Sequence, residues 1–390
     1  MSAKEPKGTV LEVAQVFFKL GCVAFGGPAA HVAMMEDELV TKRKWMSRQH
    51  FLDLMGATNL IPGPNSTEMT MHCGHERAGV LGLFAAGICF IFPAVVITVL
   101  FAWFYVEYGD LPAVAPLIFG IKPAVLAIIA GAIYKLSKKA LKSAELAVLG
   151  LLVLIVSLLG VNEIAALLAA GVLGTIYFTG KNKAKNDWKT TPKSIFPILF
   201  LQAGGALTTK ITGLSVFWSF LKVGAVLYGS GYVLFAYLDA ELVMRGWLTR
   251  PELIDAIAAG QFTPGPVLST ATFIGYQLAG LTGAIAATLG IFLPSFVFVW
   301  LLNPLVPKMR SSKPLGFFLD SVNVAALAVM VNVLIEMGME TLFVTDSWTP
   351  DWRSWVIAVF GAVLIFGFKK VNAMWIVVGG ALLGYLLMLI

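Results

Sequence analysis

Charge is what this sequence has least of. Only 13% of its 390 residues are Asp, Glu, Lys or Arg, about half the density that wets the surface of a soluble domain. That scarcity excludes a chain wrapped in water. With 58% hydrophobic residues and a mean hydropathy of +0.84, the sequence reads as an integral membrane protein. Cysteine is nearly missing too: Cys22, Cys73 and Cys89 lack any C-x-x-C spacing, which excludes a disulfide framework or zinc site and leaves small buried side chains. No uninterrupted apolar leader opens the chain, because Lys4, Glu5, Lys7, Glu12 and Lys19 break the run a cleavable signal would need, so the N-terminus is expected to be retained. The short alternating strands of a barrel are absent as well, which leaves helices as the way to satisfy the backbone in lipid. The nearest P-loop-like string, residues 174–181, has one residue too many between its glycines, so no fused ATPase is expected. The net charge of +6 fits basic loops held on the cytoplasmic face better than nucleic-acid binding, which is not expected.

What is present is a series of apolar runs. Residues 78–106, 146–162, 164–180, 354–368 and 371–390 each read as a crossing or most of one. Residues 256–307 carry no charge and hold a full span at 279–302 after a Pro/Gly-broken piece. Spans at 113–133 and 315–335 contain single charges, Lys122 and Asp320. The expected fold is all-α and polytopic, with about ten to thirteen crossings at roughly 20 residues each.

The sequence also repeats itself at a period near 202 residues. Phe18-Lys19-Leu20-Gly21 returns as Leu221-Lys222-Val223-Gly224, and Phe25-Gly26-Gly27-Pro28 as Tyr228-Gly229-Ser230-Gly231. Glu36 and Glu38 match Asp239 and Glu241; Trp45 and Asp53 match Trp247 and Asp255. Pro62-Gly63-Pro64 returns as Pro264-Gly265-Pro266, Ala78-Gly79 as Ala279-Gly280, and Pro93 as Pro294. Two repeats at 10–180 and 213–390 are expected, joined across 181–212 by a basic loop and a linker helix at 195–209. Basic loops at Lys135 to Lys142, Lys181 to Lys193, Lys308 to Lys313 and Lys369-Lys370, placed inside, make span 78–106 run outward and span 279–302 run inward. The repeats are therefore expected to have inverted topology, the architecture in which secondary transporters bind substrate near the bilayer midplane.

Gly-Gly-Pro and Pro-Gly-Pro remove backbone hydrogen bonds that hydrocarbon cannot replace, so matching breaks in both halves point to discontinuous or re-entrant helices. Pro62-Gly63-Pro64 is followed by Asn65-Ser66-Thr67, a good N-cap cluster, and its counterpart by Leu268-Ser269-Thr270. A helix that starts inside the membrane aims free N–H groups and about half a positive charge at the interior, an anion site. The candidate substrate-binding set is therefore Gly26, Gly27, Pro28, Pro62, Gly63, Pro64, Asn65, Ser66, Thr67, Gly229, Ser230, Gly231, Pro264, Gly265, Pro266, Ser269 and Thr270. Lys19 and Lys222 join it as equivalent lysines within apolar helices, read either as attracting substrate or as snorkelling to an interface.

Arg77, whose equivalent is Leu278, suits a bidentate oxyanion contact or else marks a cytoplasmic helix end. Glu36, Glu38, Asp239 and Glu241 read most simply as solvated charges on interfacial stretches. His31, Glu38, Glu68, His72, His75 and Glu241 are the proton-coupling candidates, with Glu68 and the histidines preferred. Glu68, His72 and His75 share a helical face but lack the H-E-x-x-H order of a zinc protease. An intramembrane metal enzyme is thus a minor alternative, and no metal or cofactor is expected.

These motifs together are similar to one family. Phe25-Gly26-Gly27-Pro28-x-x-His31 with Glu38 and Trp45, then Pro62-Gly63-Pro64-x-Ser66, Gly74-x-x-x-Ala78-Gly79 and Phe92-Pro93, resembles the chromate ion transporter family in its long two-domain form. The weaker second copy is Tyr228-Gly229-Ser230-Gly231, Pro264-Gly265-Pro266-x-x-Ser269 and Leu293-Pro294, and the resemblance covers roughly residues 10–385. It implies a multi-pass protein of the plasma (inner) membrane that exports chromate and gives resistance to it, with sulfate as a close tetrahedral analogue and sulfate uptake as the alternative direction. No enzymatic activity is implied; the lipid bilayer is the expected surrounding, and a homodimer is compatible with the reading.

Overall fold

The computed structural model describes residues 8–25, 28–58, 61–109, 111–185, 211–227, 233–302, 312–344, 349–368 and 371–389. Gly26, Gly27, Gly229, Ser230, Gly231 and the expected linker helix at 195–209 lie outside the described residues. The described elements are helical, apart from an isolated bridge between Phe343 and Pro350. The chain is a polytopic all-α membrane protein.

The first half runs α1 (Val10–Val23), α2 (Pro28–Met35) continued by a π turn (Glu36–Lys42), α3 (Arg48–Thr58), α4 (Asn65–Tyr108), α5 (Ala115–Ala140), α6 (Ala144–Leu158) and α7 (Glu163–Lys185). The second repeats the order: α8 (Gly213–Val226), α9 (Leu234–Leu238) with its π turn (Asp239–Val243), α10 (Arg250–Phe262), α11 (Thr270–Leu302), α12 (Lys313–Leu342), α13 (Trp352–Gly367) and α14 (Ala373–Met388). Polar caps fix many of the starts. Thr9 accepts from the Glu12 amide, Ser143 from Leu146 and Ser312 from Leu315, while Thr212 with Ser215 and Thr249 with Glu252 form reciprocal capping boxes.

Among the described residues five helices are long and apolar enough to cross a membrane, α4, α5, α7, α11 and α12, and four shorter apolar ones accompany them. Two of the five are not straight. α4 breaks at Ala78-Gly79, with Gly79 at φ 65°, and α11 breaks at Ala279-Gly280, with Gly280 at φ 59°. Glycine alone enters this left-handed region freely, so both chains reverse there. Gly74 then lies against Gly82, and Gly275 against Gly283, so closely that a Cβ on any of them would collide with backbone oxygen across the turn. Thr272 bonds Thr288 at 2.7 Å over the second reversal. Small residues let the two arms touch, as helix pairs in lipid require.

A second kind of reversal lies deeper. His50 near the start of α3 reaches Glu76 near the end of residues 65–77 at 3.3 Å, so the chain doubles back at Pro62-Gly63-Pro64. The Gly8 amide donates to the Arg77 carbonyl at 3.0 Å, and Gly213 lies beside Thr282. Gly8 and Arg77 thus lie at one end of the molecule, and residues 80–108 run away from that end.

The two traversing arms run in opposite directions. Along residues 80–108, Phe84 stacks on Phe296 at 5.5 Å and Phe90 and Ala94 lie by Gly265; further on, Phe101 meets Phe262 at 6.4 Å and Tyr105 meets Phe273 at 5.3 Å. Since residues 281–302 begin at the turn just after Phe273 and reach Phe296 beside Phe84, they are antiparallel to 80–108. The remaining helices form a second bundle, in which α5 packs along α13 and α14 and α12 lies against α5, α6 and α7.

Candidate functional site

Where the breaks meet defines the site. The Gly63 amide donates to the carbonyl of Leu227, which caps α8, at 2.6 Å; the Gly265 amide donates to the carbonyl of Ala24, which caps α1, at 2.8 Å. Residues 24 and 227 are repeat equivalents, as are 63 and 265, so the two halves exchange the same bond. Gly63 at φ 139° and Gly265 at φ 88° hold conformations open to glycine, and each frees its amide to point across the repeat boundary. Pro62, Pro64, Pro264 and Pro266 are buried around them. Pro64 then caps residues 65–77, with Thr67 and Glu68 amides returning to its carbonyl at 2.8 and 3.0 Å. That leaves the Ser66 amide at the helix start without an intrahelical partner among the described residues, the arrangement that draws an anion.

The two interruptions carry different side chains. A Cβ on Gly63 would collide with Glu68 Oε1 and Ser295 Oγ. Glu68 is fully buried, and neither of its oxygens, nor Ser295 Oγ nor Thr67 Oγ1, has a hydrogen-bond partner among the described residues. Beside them His31 spans from the Ala24 carbonyl at 3.0 Å to Ser66 Oγ at 3.2 Å, its ring edge-on to Phe90. His72 is buried one turn along α4 from Glu68; His75 is half-buried and Cys73 is buried. At the opposite interruption Ser269 and Thr263 bond each other at 3.1 Å, Thr263 also reaches the Gly260 carbonyl, and Thr270 reaches the Val267 carbonyl at 2.9 Å. Ala94 sits 3.0 Å from where a Cβ on Gly265 would lie, in the place that Ser295 takes by Gly63.

Other sequence-selected residues lie apart from these tips. Arg77 stands at the far end of its half-helix, about 18 Å from its start at Asn65, counting 1.5 Å per residue. There it pairs with Glu12 at 3.1 Å and covers the Trp45 ring at 5.1 Å. Lys222 binds Glu241 at 2.6 Å, and Arg245 binds the same carboxylate at 2.9 Å. Lys19 is exposed on α1 and close enough to Glu38 to act on its carboxylate.

The reading of Glu38, Asp239 and Glu241 as solvated charges is corrected: their exposures are 9, 1 and 6%. Each is buried because its stretch is the returning arm of a hairpin rather than an interfacial helix, and each is neutralised by a cation. Arg43 holds Glu38 at 2.8 Å and Arg250 holds Asp239 at 3.1 Å. Glu36 keeps the surface role, paired with Arg48. Sequence reasoning missed Ser295, whose one signal is its place directly after Pro294, and it missed Glu12 as the partner of Arg77. No group of three or more His, Cys, Asp or Glu residues converges as a metal site among the described residues.

Comparison with known proteins matches the sequence to a family. The chromate transporter family model matches residues 11–175 and again 214–385. A chromate transport protein of Cupriavidus metallidurans is 30% identical over 97% of this chain and 93% of its own length. A probable chromate transport protein of Synechococcus elongatus is 29% identical over 86% of each. An uncharacterized transporter of Bacillus subtilis, 28% identical over 174 residues, aligns with 43% of this chain but 87% of itself. No solved structure matches. The chain belongs to the chromate transporter family.

Proposed function

We propose that the protein exports chromate across the cytoplasmic membrane and so protects the cell from it, with sulfate binding as an analogue of the same shape and charge. The observation that carries this reading is the exchange of amide bonds between Gly63 and Leu227 and between Gly265 and Ala24. It brings helix starts from both halves to one place, as a midplane anion site needs. The halves act as inverted repeats, a reading supported by the antiparallel traversing arms, the twofold family match and the half-length Bacillus relative. The end that carries Arg77, Lys139 and Lys181 faces the cytoplasm by its excess of base.

The dianion sits by the Ser66 amide at the start of this half-helix, and Thr67 and Ser295 supply hydroxyl donors. Glu68 carries a proton. Protonated, it donates to an oxyanion oxygen; charged, it repels the same ligand, so binding weakens as pH rises. The titratable groups nearest it are His31, through Ser66, and His72 along α4, while α11 contributes only the neutral Ser295. The membrane potential drives the export. Moving a bare dianion out of a cell negative inside gains about 4.6 kcal/mol per 100 mV, and about 2.3 kcal/mol if one proton travels with it.

The test is efflux from proteoliposomes loaded with radiolabelled chromate under an imposed potassium diffusion potential. Potential-dependent efflux that external sulfate inhibits is expected. Flux no faster than from protein-free liposomes would refute the reading, and inward flux alone would favour sulfate-type uptake.

A further inference from the structure

Lys122 and Asp255 stand inside the membrane region, away from the tips. Lys122 lies on α5 of the first half and Asp255 on α10 of the second, with Nζ 3.4 Å from Oδ2. The Tyr105 hydroxyl donates to the same Oδ2 at 2.8 Å. The other oxygen, Oδ1, has no hydrogen-bond partner among the described residues, although the Asp255 side chain is only 5% exposed. Along α10 the pair is about 15 Å from the Gly265 tip, counting 1.5 Å per residue. It therefore lies between the tips and the end of the molecule where Arg250 binds Glu336 and Glu340.

Three features separate this pair from structural glue. A buried ion pair can be exchanged for apolar side chains with little loss of stability, so its presence in a span calls for another reason. The contact is loose: at 3.4 Å one ammonium group with three donors meets an oxygen already served by Tyr105. Lys122 is also reachable, with a quarter of its side chain exposed, whereas Asp255 is enclosed. The corresponding span of the second half, α12, carries Asp320, which Lys142 neutralises at 2.6 Å.

We propose that Lys122 is a second binding station for the tetrahedral dianion, between the tip site and the outer surface, and that Asp255 is its place-holder. An arriving oxyanion displaces Asp255 from the ammonium, leaving the carboxylate to Tyr105. Its departure lets Asp255 return and discourages the ion from coming back. This inference rests on the oxyanion-transport reading of the protein.

Two variants in proteoliposomes loaded with radiolabelled chromate test it. In the double variant Lys122→Met with Asp255→Asn no charge is left buried alone, so the fold is kept. It is expected to bind chromate at the tips yet export it about tenfold or more slowly than the wild type, because the outer station is gone. Asp255→Asn alone frees the lysine and is expected to lower KM and kcat together, as tighter holding slows release. Wild-type rates in the double variant, or an unchanged KM in Asp255→Asn, would overturn the assignment and make the pair structural. Absence of chromate flux in the wild type is a separate result that removes the transport reading itself.

Discussion

The interruption at Pro62-Gly63-Pro64 and the one at Pro264-Gly265-Pro266 share a backbone and differ in chemistry. Both place a glycine amide on a carbonyl of the opposite half. At the second, Thr263, Ser269 and Thr270 satisfy one another and the local carbonyls, and Ala94 closes the space. At the first, Glu68, Thr67 and Ser295 are buried with hydrogen-bonding capacity left over. Leaving such a group unmade costs about 1–3 kcal/mol, so the three together support the anion site proposed there. Duplication supplied the frame and divergence supplied the polarity. His31, Glu68 and His72 in the first half face Leu234, Thr270 and Ile274 at equivalent positions in the second.

Alanine at each tip glycine gives the largest effect. Gly63→Ala strains the backbone and drives a methyl into Glu68 and Ser295, so chromate flux is expected to fall about a hundredfold. Gly265→Ala meets only the Ala94 methyl and the strain of its positive φ, and a loss of about tenfold is expected. Equal losses in a side-by-side flux assay would break the contrast between the tips.

With sulfate as the ligand, which stays a dianion over this range, Glu68→Gln should abolish the pH dependence of binding while keeping a donor in place, whereas Thr270→Ser should stay within about twofold of wild type at every pH. Binding measured from pH 6 to 8 decides this. A wild type whose affinity rises with pH would reverse the sign and remove Glu68 as the proton carrier.

His31→Ala removes both ring contacts, to Ala24 and Ser66, and is expected to lower stability by about 1–2 kcal/mol with a matching fall in Tm. Smallest is the pair Gly79→Ala and Gly280→Ala. Nothing lies within 4 Å of either new methyl, so only the left-handed φ is strained. Equal losses of about 1–2 kcal/mol are expected in the two unfolding curves, and unequal losses would show that the two reversals do not bear the same load.

Much of this was legible in the sequence. Uncharged runs marked the spans because hydrocarbon excludes charge, and Pro-Gly-Pro marked the tips because no lipid-facing helix can contain it. What composition could not show was direction: that residues 8–77 return to their starting end depends on the contact between Gly8 and Arg77, 69 positions apart. The burial of Glu38, Asp239 and Glu241 was hidden for the same reason, since a short amphipathic stretch reads alike on an interface and on a returning arm. Lys122 and Asp320 stood out only as single charges in spans; their partners, Asp255 and Lys142, came into view with the packing.

The most direct measurement is the anomalous scattering of chromium in crystals of the protein grown with chromate. A peak within hydrogen-bond reach of the Ser66 amide, Thr67 and Ser295 is expected. A peak at Arg77, Lys19 or Lys222 with none between the tips would contradict the central arrangement.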